Sequence, residues 1–115
     1  MSDRLWIVLS TFGDVEMATA AARRLVEEGL VACAQVEERP MISVYRWQGR
    51  VEQDPEVLLR LKVAPATLEA AVRCLREVHP YDVPQVVWFE AEAESEYAAW
   101  AREQCSGGDD TGSSA

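Results

Sequence analysis

Histidine and cysteine, the residues that most often bind transition metals, are scarce in this chain. Among 115 residues there is one histidine, His79, and there are three cysteines, Cys33, Cys74 and Cys105. The cysteines are widely separated and form no C-x-x-C pair, which argues against a structural zinc knuckle and against a framework of disulfides. We therefore expect reduced thiols, and we expect Cys33, which lies in an apolar stretch, to behave as a small core residue.

Positive charge is also in short supply. The chain has 11 lysines and arginines against 20 aspartates and glutamates, for a net charge of -9. An acidic surface repels phosphate, so we expect no nucleic-acid partner and no docking on anionic lipid, and cations are the more natural partners. No apolar run approaches the ~20 residues that cross a bilayer, and the first residues lack a signal-peptide pattern. We expect a soluble, cytoplasmic protein.

The chain does contain a regular alternation of strand and helix patterns. With 49% hydrophobic residues it fits one compact domain, which we place at residues 1–105, followed by a disordered tail at 106–115. The elements expected along the chain are a buried strand at 5–9, a helix from Asp14 to Gly29, a strand over about 31–47 that is interrupted near Pro40, a turn at Gln48-Gly49, a return strand around 57–63, a helix opened by Pro65, a strand over about 83–91 and a helix over about 95–104. The acidic residues 52–56 are expected to form a bulge or turn. This order predicts an α+β fold of the ferredoxin-like type, βαββαβ, with an additional C-terminal helix.

The chain has more large aromatic side chains than two helices on one face of a sheet can bury. They are Trp6, Tyr45, Trp47, Trp88 and Trp100. Exposed apolar patches on a small domain usually mark an interface, so self-association is the simplest prediction. The alternative is that the terminal helix folds back over the sheet and closes a monomer.

The six residues from His79 to Pro84 (HPYDVP) form the best candidate for a site. Pro80 and Pro84 stiffen the backbone around the one side chain that titrates near neutral pH, which suits metal binding or proton transfer. The alternative is structural: the prolines stop a helix, and His79 caps its last turn.

Four segments give the chain a resemblance to a known family. Residues 25–33 (LVEEGLVAC), 43–49 (SVYRWQG), 59–62 (LRLK) and 79–84 (HPYDVP), followed by Tyr97 and Trp100, resemble those of the divalent-cation tolerance protein family, CutA. The resemblance implies a ferredoxin-like subunit in a tight homotrimer with strands of neighbouring subunits joined, and a role in tolerance of copper and other divalent metals. It does not imply an enzyme.

The resemblance also implies where metal would bind. The copper-ligand positions of the family fall at Ser10, Val78 and His79, with a cysteine position nearby at Cys74. Ser10 and Val78 stand where a bacterial family member has cysteine and histidine. Because copper favours imidazole and thiolate donors, we expect a weak site.

A ligand cleft is the second site that the resemblance implies. It is expected near a subunit boundary and would combine Tyr45, Trp47, Lys62, Tyr81, Gln85 and Trp100. Gln85 replaces a glutamate that is common in the family, so a small polar molecule or anion could fit as well as a metal. The alternative for Lys62 is a salt bridge to Glu52, Glu56 or another acid.

Two other function classes can be compared with this one; we keep a PII-like trimer as the alternative and expect no enzyme. A PII-like trimer would bind a small molecule or signal between subunits, although the chain has no glycine-rich phosphate loop. An enzyme would need a nucleophile beside a base, and no motif pairs His79 with Ser10, Thr11 or Cys74. A protein partner of unknown kind is also left open.

Overall fold

The computed structural model describes residues 2–106. Its elements, in chain order, are β1 (Ser2–Phe12), α1 (Val15–Glu27), β2 (Cys33–Val36), β3 (Met41–Trp47), β4 (Arg50–Val63), α2 (Leu68–Val78, preceded by a 3-10 turn at Pro65–Thr67), β5 (Val87–Glu94) and α3 (Ser95–Gln104). The predicted tail at 106–115 lies outside the described residues, except for Ser106.

The strands form one antiparallel sheet in the order β2-β4-β1-β5. This order and the two helices between strands are the ferredoxin-like arrangement, and α3 follows as an addition, so the predicted fold class is confirmed. β3 pairs only with the first half of β4, from Met41 opposite Glu56 to Trp47 opposite Arg50. This hairpin, residues 41–56, is called the arm below.

The helices α1 and α2 cover one face of the sheet. In β4 the alternating residues Val57, Leu59, Leu61 and Val63 are all at most 2% exposed, as their spacing predicts. Leu25 of α1 and Leu75 of α2 are 0% exposed and belong to the same cluster. This cluster is the main core.

The helix α3 lies on the opposite face and covers only part of it. Ala98 and Ala101 of α3 form a second small cluster with Leu5 of β1. On β5, Val87 and Phe89 pair with Leu9 and Ile7 yet are 47% and 50% exposed. Residues 2–106 therefore leave an apolar strip of the sheet uncovered.

Local signals set the ends of the first helix and the tip of the arm. The Asp14 carboxylate accepts a hydrogen bond from the Met17 amide at 2.8 Å and caps α1. Gly29, with φ 72°, supplies the left-handed residue that follows the helix. Gln48 and Gly49 have φ values of 51° and 79°, as a two-residue hairpin turn with the twist of a type I′ turn requires.

Several predicted boundaries differ from the structure, and two of the differences bear on the site. Residues 52–56 do not form the expected bulge or turn but are part of the long strand β4. The last strand begins at Val87 instead of about residue 83, because Pro80 and Pro84 remove two backbone donors and the His79 ring hydrogen-bonds to the end of β1. The start of the segment between α2 and β5 thus lies against the end of β1, and the segment does not join the sheet.

The arm has two different faces. Ile42, Val44 and Val51 lie on one face and are 62%, 63% and 67% exposed. The opposite face carries the polar and aromatic residues that alternate with them, among them Ser43, Tyr45, Glu52, Asp54 and Glu56. None of the helices within residues 2–106 is long and apolar enough to cross a membrane.

Candidate functional site

His79 directly follows α2 and is nearly buried, with 7% of its surface exposed. Its ring stacks on Phe12 at a centroid distance of 4.1 Å and meets the edge of Tyr81 at 4.6 Å. The extended backbone that Pro80 favours turns the chain away from the helix at this point. His79 therefore fixes the segment that leaves α2 against the end of β1.

Both ring nitrogens of His79 are engaged. Nε2 lies 2.7 Å from the carbonyl oxygen of Thr11, and since a carbonyl only accepts, Nε2 carries the proton. Nδ1 then accepts a hydrogen bond from the Tyr81 amide at 3.2 Å. Burial lowers the pKa of His79 and favours this neutral form. A metal ion would have to displace one of these two hydrogen bonds.

Cys74 and Ser10, the other two predicted metal ligands, lie in the main core. Cys74 belongs to the buried cluster, and burial raises the pKa of its thiol. Ser10 is 1% exposed, and its position in β1 places it on the same face as Val8 and Phe12 of that cluster. Its Oγ is buried without a hydrogen-bond partner in the described part of the chain. Residues 2–106 contain no group of three or more His, Cys, Asp or Glu side chains arranged to hold a metal.

A cleft of about 820 Å³ lies between the arm and the segment that follows His79. It is lined by Tyr45, Trp47, Tyr81 and Gln85 from the predicted ligand cleft. The other lining residues are Thr11, Gly13, Ser43, Val44, Asp54, Pro55, Glu56, Asp82 and Val83. The structure thus brings four of the six predicted cleft residues together.

Lys62 and Trp100 lie elsewhere in the single chain. Lys62 is six residues beyond Glu56 on β4, which is about 20 Å along a strand, and its Nζ donates to Gln35 Oε1 at 3.0 Å. Among the described residues it makes no ion pair, so the expected salt bridge to Glu52 or Glu56 is not found. Trp100 lies on α3 against Tyr97, with ring centroids 5.5 Å apart. The expected convergence of a lysine with the cleft does not occur within one chain.

Carboxylates take the place of that lysine in the cleft. Ser43 Oγ and Tyr81 Oη donate to the two oxygens of Glu56, at 2.7 Å and 2.9 Å, and Tyr45 Oη donates to Asp54 Oδ2 at 2.5 Å. The hydrogen bond to Asp54 raises the pKa of Tyr45 to about 12, and burial with the hydrogen bond to Glu56 raises the pKa of Tyr81 to about 12. The sequence held a signal for this site, because acids at 52, 54 and 56 share one face of a strand.

The chain matches a known protein family over almost all of the described residues. The model of the CutA1 divalent ion tolerance protein family matches residues 6–104. The chain belongs to this family. The resemblance predicted from the four sequence segments is confirmed.

Individual members of the family agree with this assignment. The divalent-cation tolerance protein CutA of Thermus thermophilus is 39% identical over 98 residues, which cover 84% of this chain and 94% of that protein. The protein CutA of Homo sapiens is 34% identical over 89 residues, which cover 76% of this chain and 49% of that protein. These names describe tolerance of divalent cations or the family alone, and not a reaction.

Solved structures support the same family and fold. CutA from Xylella fastidiosa superposes with a TM-score of 0.84 and 30% identity, covering 88% of this chain and 97% of that one. The divalent cation tolerance protein from Thermus thermophilus has a TM-score of 0.81 and 37% identity, covering 89% and 98%. This chain therefore has the same subunit fold as these solved members of the family.

Proposed function

We propose that the protein is a cytoplasmic homotrimer that acts in tolerance of divalent metal ions and binds such an ion, with copper the first candidate, weakly. The observation that carries this proposal is the family match over residues 6–104. The net charge of -9 agrees with a cation as the partner. No catalytic step is part of the proposal.

The trimer is supported by the apolar surface that one chain leaves open. Ile42, Val44 and Val51 of the arm are more than 60% exposed, and Val87 and Phe89 leave a second strip on the sheet. Covering a side chain of this size stabilises an assembly by about 1.5–3 kcal/mol when burial is complete. A second and third copy of the chain are the partners that account for both surfaces at once.

Weak metal binding is supported by the surroundings of His79, Cys74 and Ser10. An imidazole that ligates copper must first give up the Thr11 or the Tyr81 hydrogen bond. A thiol that ligates must lose its proton, and burial raises the pKa of Cys74. Ser10 offers a hydroxyl oxygen, a poorer copper ligand than a thiolate.

A small-molecule trimer of the PII-like type remains the second candidate, because the cleft has the size of a ligand pocket. A nucleotide would bring several phosphate charges. The cleft residues within 2–106 include Asp54, Glu56 and Asp82 but no lysine or arginine. This charge disfavours a nucleotide and keeps metal tolerance as the leading proposal.

Native mass spectrometry of chelator-stripped protein, titrated with copper and with zinc, tests the assembly and the metal site together. We expect trimers that take up about one ion per subunit at high ion concentration. We expect His79→Ala to lose this uptake. Tyr81→Phe is the matched control, because it keeps the imidazole and the Tyr81 amide while it removes only the hydroxyl.

The possible results separate the parts of the proposal. Monomers in the spectrum would overturn the trimer. Trimers of the His79→Ala variant that bind copper as the parent does would overturn the site at His79. Trimers of the parent that stay empty up to millimolar ion would overturn metal binding by this protein.

A further inference from the structure

The face of β4 that lies opposite the main core has its charges sorted by sign. Every second residue of the strand belongs to this face, because side chains alternate along a strand. From the arm into the main sheet, the residues on this face are Glu52, Asp54, Glu56, Leu58, Arg60 and Lys62. Acids therefore occupy the arm, and cations occupy the half of the same strand that lies in the main sheet.

The two cations have no acidic partner in the described part of the chain. Lys62 Nζ donates to Gln35 Oε1 at 3.0 Å, and Arg60 makes neither an ion pair nor a side-chain hydrogen bond among residues 2–106. Both side chains are half-buried. A charge that is partly removed from water is stabilised by an opposite charge nearby. These two cations are therefore suited to an anionic partner from outside the chain.

The acids of the arm also lack a cation. Hydroxyl groups of neighbouring side chains donate to the carboxylates of Asp54 and Glu56 and orient them, but these donors carry no positive charge. Glu52 differs, because Arg50 Nε lies 4.0 Å from its carboxylate at the tip of the arm. Asp54 and Glu56 are thus two oriented anionic groups that no lysine or arginine of residues 2–106 neutralises.

One chain cannot bring the two groups of charges together. Glu56 and Arg60 are four residues apart, which is about 13 Å along a strand, and Asp54 and Lys62 are eight residues apart, which is about 26 Å. The strand cannot fold back to shorten these distances, because β1 and β2 pair with it on both sides in the main sheet. Contact between the acids and the cations therefore requires a second chain.

The cations also border the apolar strip that the proposed trimer would cover. Lys62 lies opposite Ile7 in the sheet, and Ile7 lies opposite Phe89, which is 50% exposed. Arg60 begins the neighbouring row of the same kind, which ends at the exposed Val87. A chain that covers this strip is therefore placed beside both cations. A second copy brings the apolar surface and the matching carboxylates on one element, its arm.

We propose that Asp54 and Glu56 of one copy form ion pairs with Arg60 and Lys62 of the next copy, in the trimer on which this inference rests. Each chain then gives its arm to one neighbour and receives the arm of the other on its cationic face. Such a contact joins two different surfaces, and three copies close it into a ring. Contacts between two arms or between two cationic faces would bring like charges together, so the ion pairs select this arrangement.

Charge reversal on each side of the contact, followed by restoration, tests the proposal. Arg60→Glu/Lys62→Glu and Asp54→Lys/Glu56→Lys each create like charges across every contact. In sedimentation velocity over a concentration series, we expect each to raise the concentration at which trimers dissociate about tenfold or more. A chain that carries all four changes again has opposite charges across each contact and the net charge of the parent. We expect it to assemble within about threefold of the parent.

Arg73→Glu/Arg76→Glu is the matched control. It changes the net charge by the same amount as Arg60→Glu/Lys62→Glu, but both arginines are exposed on α2, which covers the other face of the sheet. We expect this variant to assemble as the parent does. If it dissociates as readily as Arg60→Glu/Lys62→Glu, net charge explains the effect and the proposed ion pairs are wrong.

The results separate this inference from the trimer itself. A parent that stays trimeric while both reversed variants assemble equally well would overturn the ion pairs and leave the trimer intact. A chain with all four changes that has the parent circular dichroism but stays dissociated would overturn the pairing as well. A monomeric parent would overturn both proposals. If a reversed variant does not fold, the neutral Arg60→Gln/Lys62→Met variant replaces it, and we expect about fivefold weaker assembly; unchanged assembly would overturn the ion pairs.

Discussion

In both halves of β4 successive side chains alternate between the two faces of the strand, but the surroundings of the two halves are opposite. In the second half, Leu59, Leu61 and Val63 are 0% exposed beneath α1 and α2. In the first half, Val51 is 67% exposed. Ile42 and Val44, on the neighbouring strand of the arm, are 62% and 63% exposed. Alternation along a strand therefore tells which residues share a face, but the element that packs there decides whether the face is buried. No helix of residues 2–106 buries the apolar face of the arm.

The largest expected effect comes from the core half of β4. Leu61→Ala removes a fully buried side chain and leaves a cavity, so we expect the free energy of unfolding to fall by about 3 kcal/mol. Urea unfolding followed by circular dichroism at one fixed protein concentration measures this change, since stability of an oligomer depends on concentration.

The matched control for Leu61→Ala lies on the same strand. Val51→Ala is expected to cost less than about 0.5 kcal/mol at protein concentrations at which the subunits are separate, because the side chain is exposed in one chain, and more where the proposed trimer covers the arm. If Val51→Ala costs as much as Leu61→Ala, the arm is buried in solution and the contrast between the two halves holds only for the single chain. That outcome would favour the trimer.

The next largest effect concerns assembly. Val44→Asp places a charge in the apolar face of the arm, and burying it in an interface would cost several kcal/mol, so we expect the trimer to dissociate at concentrations where the parent stays assembled. Sedimentation velocity over a concentration series measures the shift from trimer to monomer. Circular dichroism is expected to show the same secondary structure.

Thr19→Asp provides the control for Val44→Asp. It adds the same charge on the exposed side of α1, far along the chain from the arm, and is expected to leave the trimer intact. Dissociation by both variants would indicate a general effect of charge. Dissociation by neither would exclude the apolar face of the arm from the interface.

The core and its connections could be predicted from sequence because their signals are local. Asp14, Gly29 and Gln48-Gly49 each act on the nearest turn, and the pattern from Val57 to Val63 indicates one buried face. The start of β5 was predicted four residues too early, because it depends on a contact between the His79 ring and the Thr11 carbonyl across 68 residues. No local pattern contains such a contact.

The residues of the candidate site also divide into those that the sequence identifies and those that only long-range contacts identify. His79, Tyr81 and Gln85 lie in one short segment and could be selected from it. Asp54 and Glu56 fall in the segment expected to be a bulge or turn, and only the strand pairing of the arm brings them to the face where Tyr45 and Ser43 donate hydrogen bonds to them. Lys62 is expected in the cleft at a subunit boundary; within one chain the length of strand after Glu56 separates it from Glu56, and its place relative to a neighbouring subunit stays a prediction.

A smaller effect on the free energy of unfolding is expected at the start of α1, where the substitution removes one hydrogen bond. Asp14→Ala removes the cap of the Met17 amide, and we expect the free energy of unfolding to fall by about 1 kcal/mol. Urea unfolding checks the value. Asp14→Ser, which restores a capping oxygen, is expected to recover most of the loss, and an Asp14→Ser variant as unstable as Asp14→Ala would show that the carboxylate acts through its charge.

A small effect on stability is also expected in the cleft. Glu56→Gln at neutral pH is expected to change the free energy of unfolding by less than about 1 kcal/mol, because the Tyr81 contact is partly exposed. The contact between Glu56 and Tyr81 instead affects the pKa of the Tyr81 hydroxyl. The raised pKa of Tyr81, about 12, means that its contacts stabilise the fold fully below pH 10, the ordinary tyrosine value, and that this contribution is lost as the pH rises through about 12.

Titration of the tyrosines separates the two hydrogen bonds of the cleft. In Glu56→Gln we expect the pKa of Tyr81 to fall and that of Tyr45, which donates to Asp54, to stay near 12. Asp54→Asn is expected to lower the pKa of Tyr45 and to spare Tyr81. NMR of the ring carbons resolves each residue. A Tyr81 that keeps its pKa in Glu56→Gln would show that burial alone raises it, and the carboxylate would then be free of the hydroxyl that orients it in the cleft.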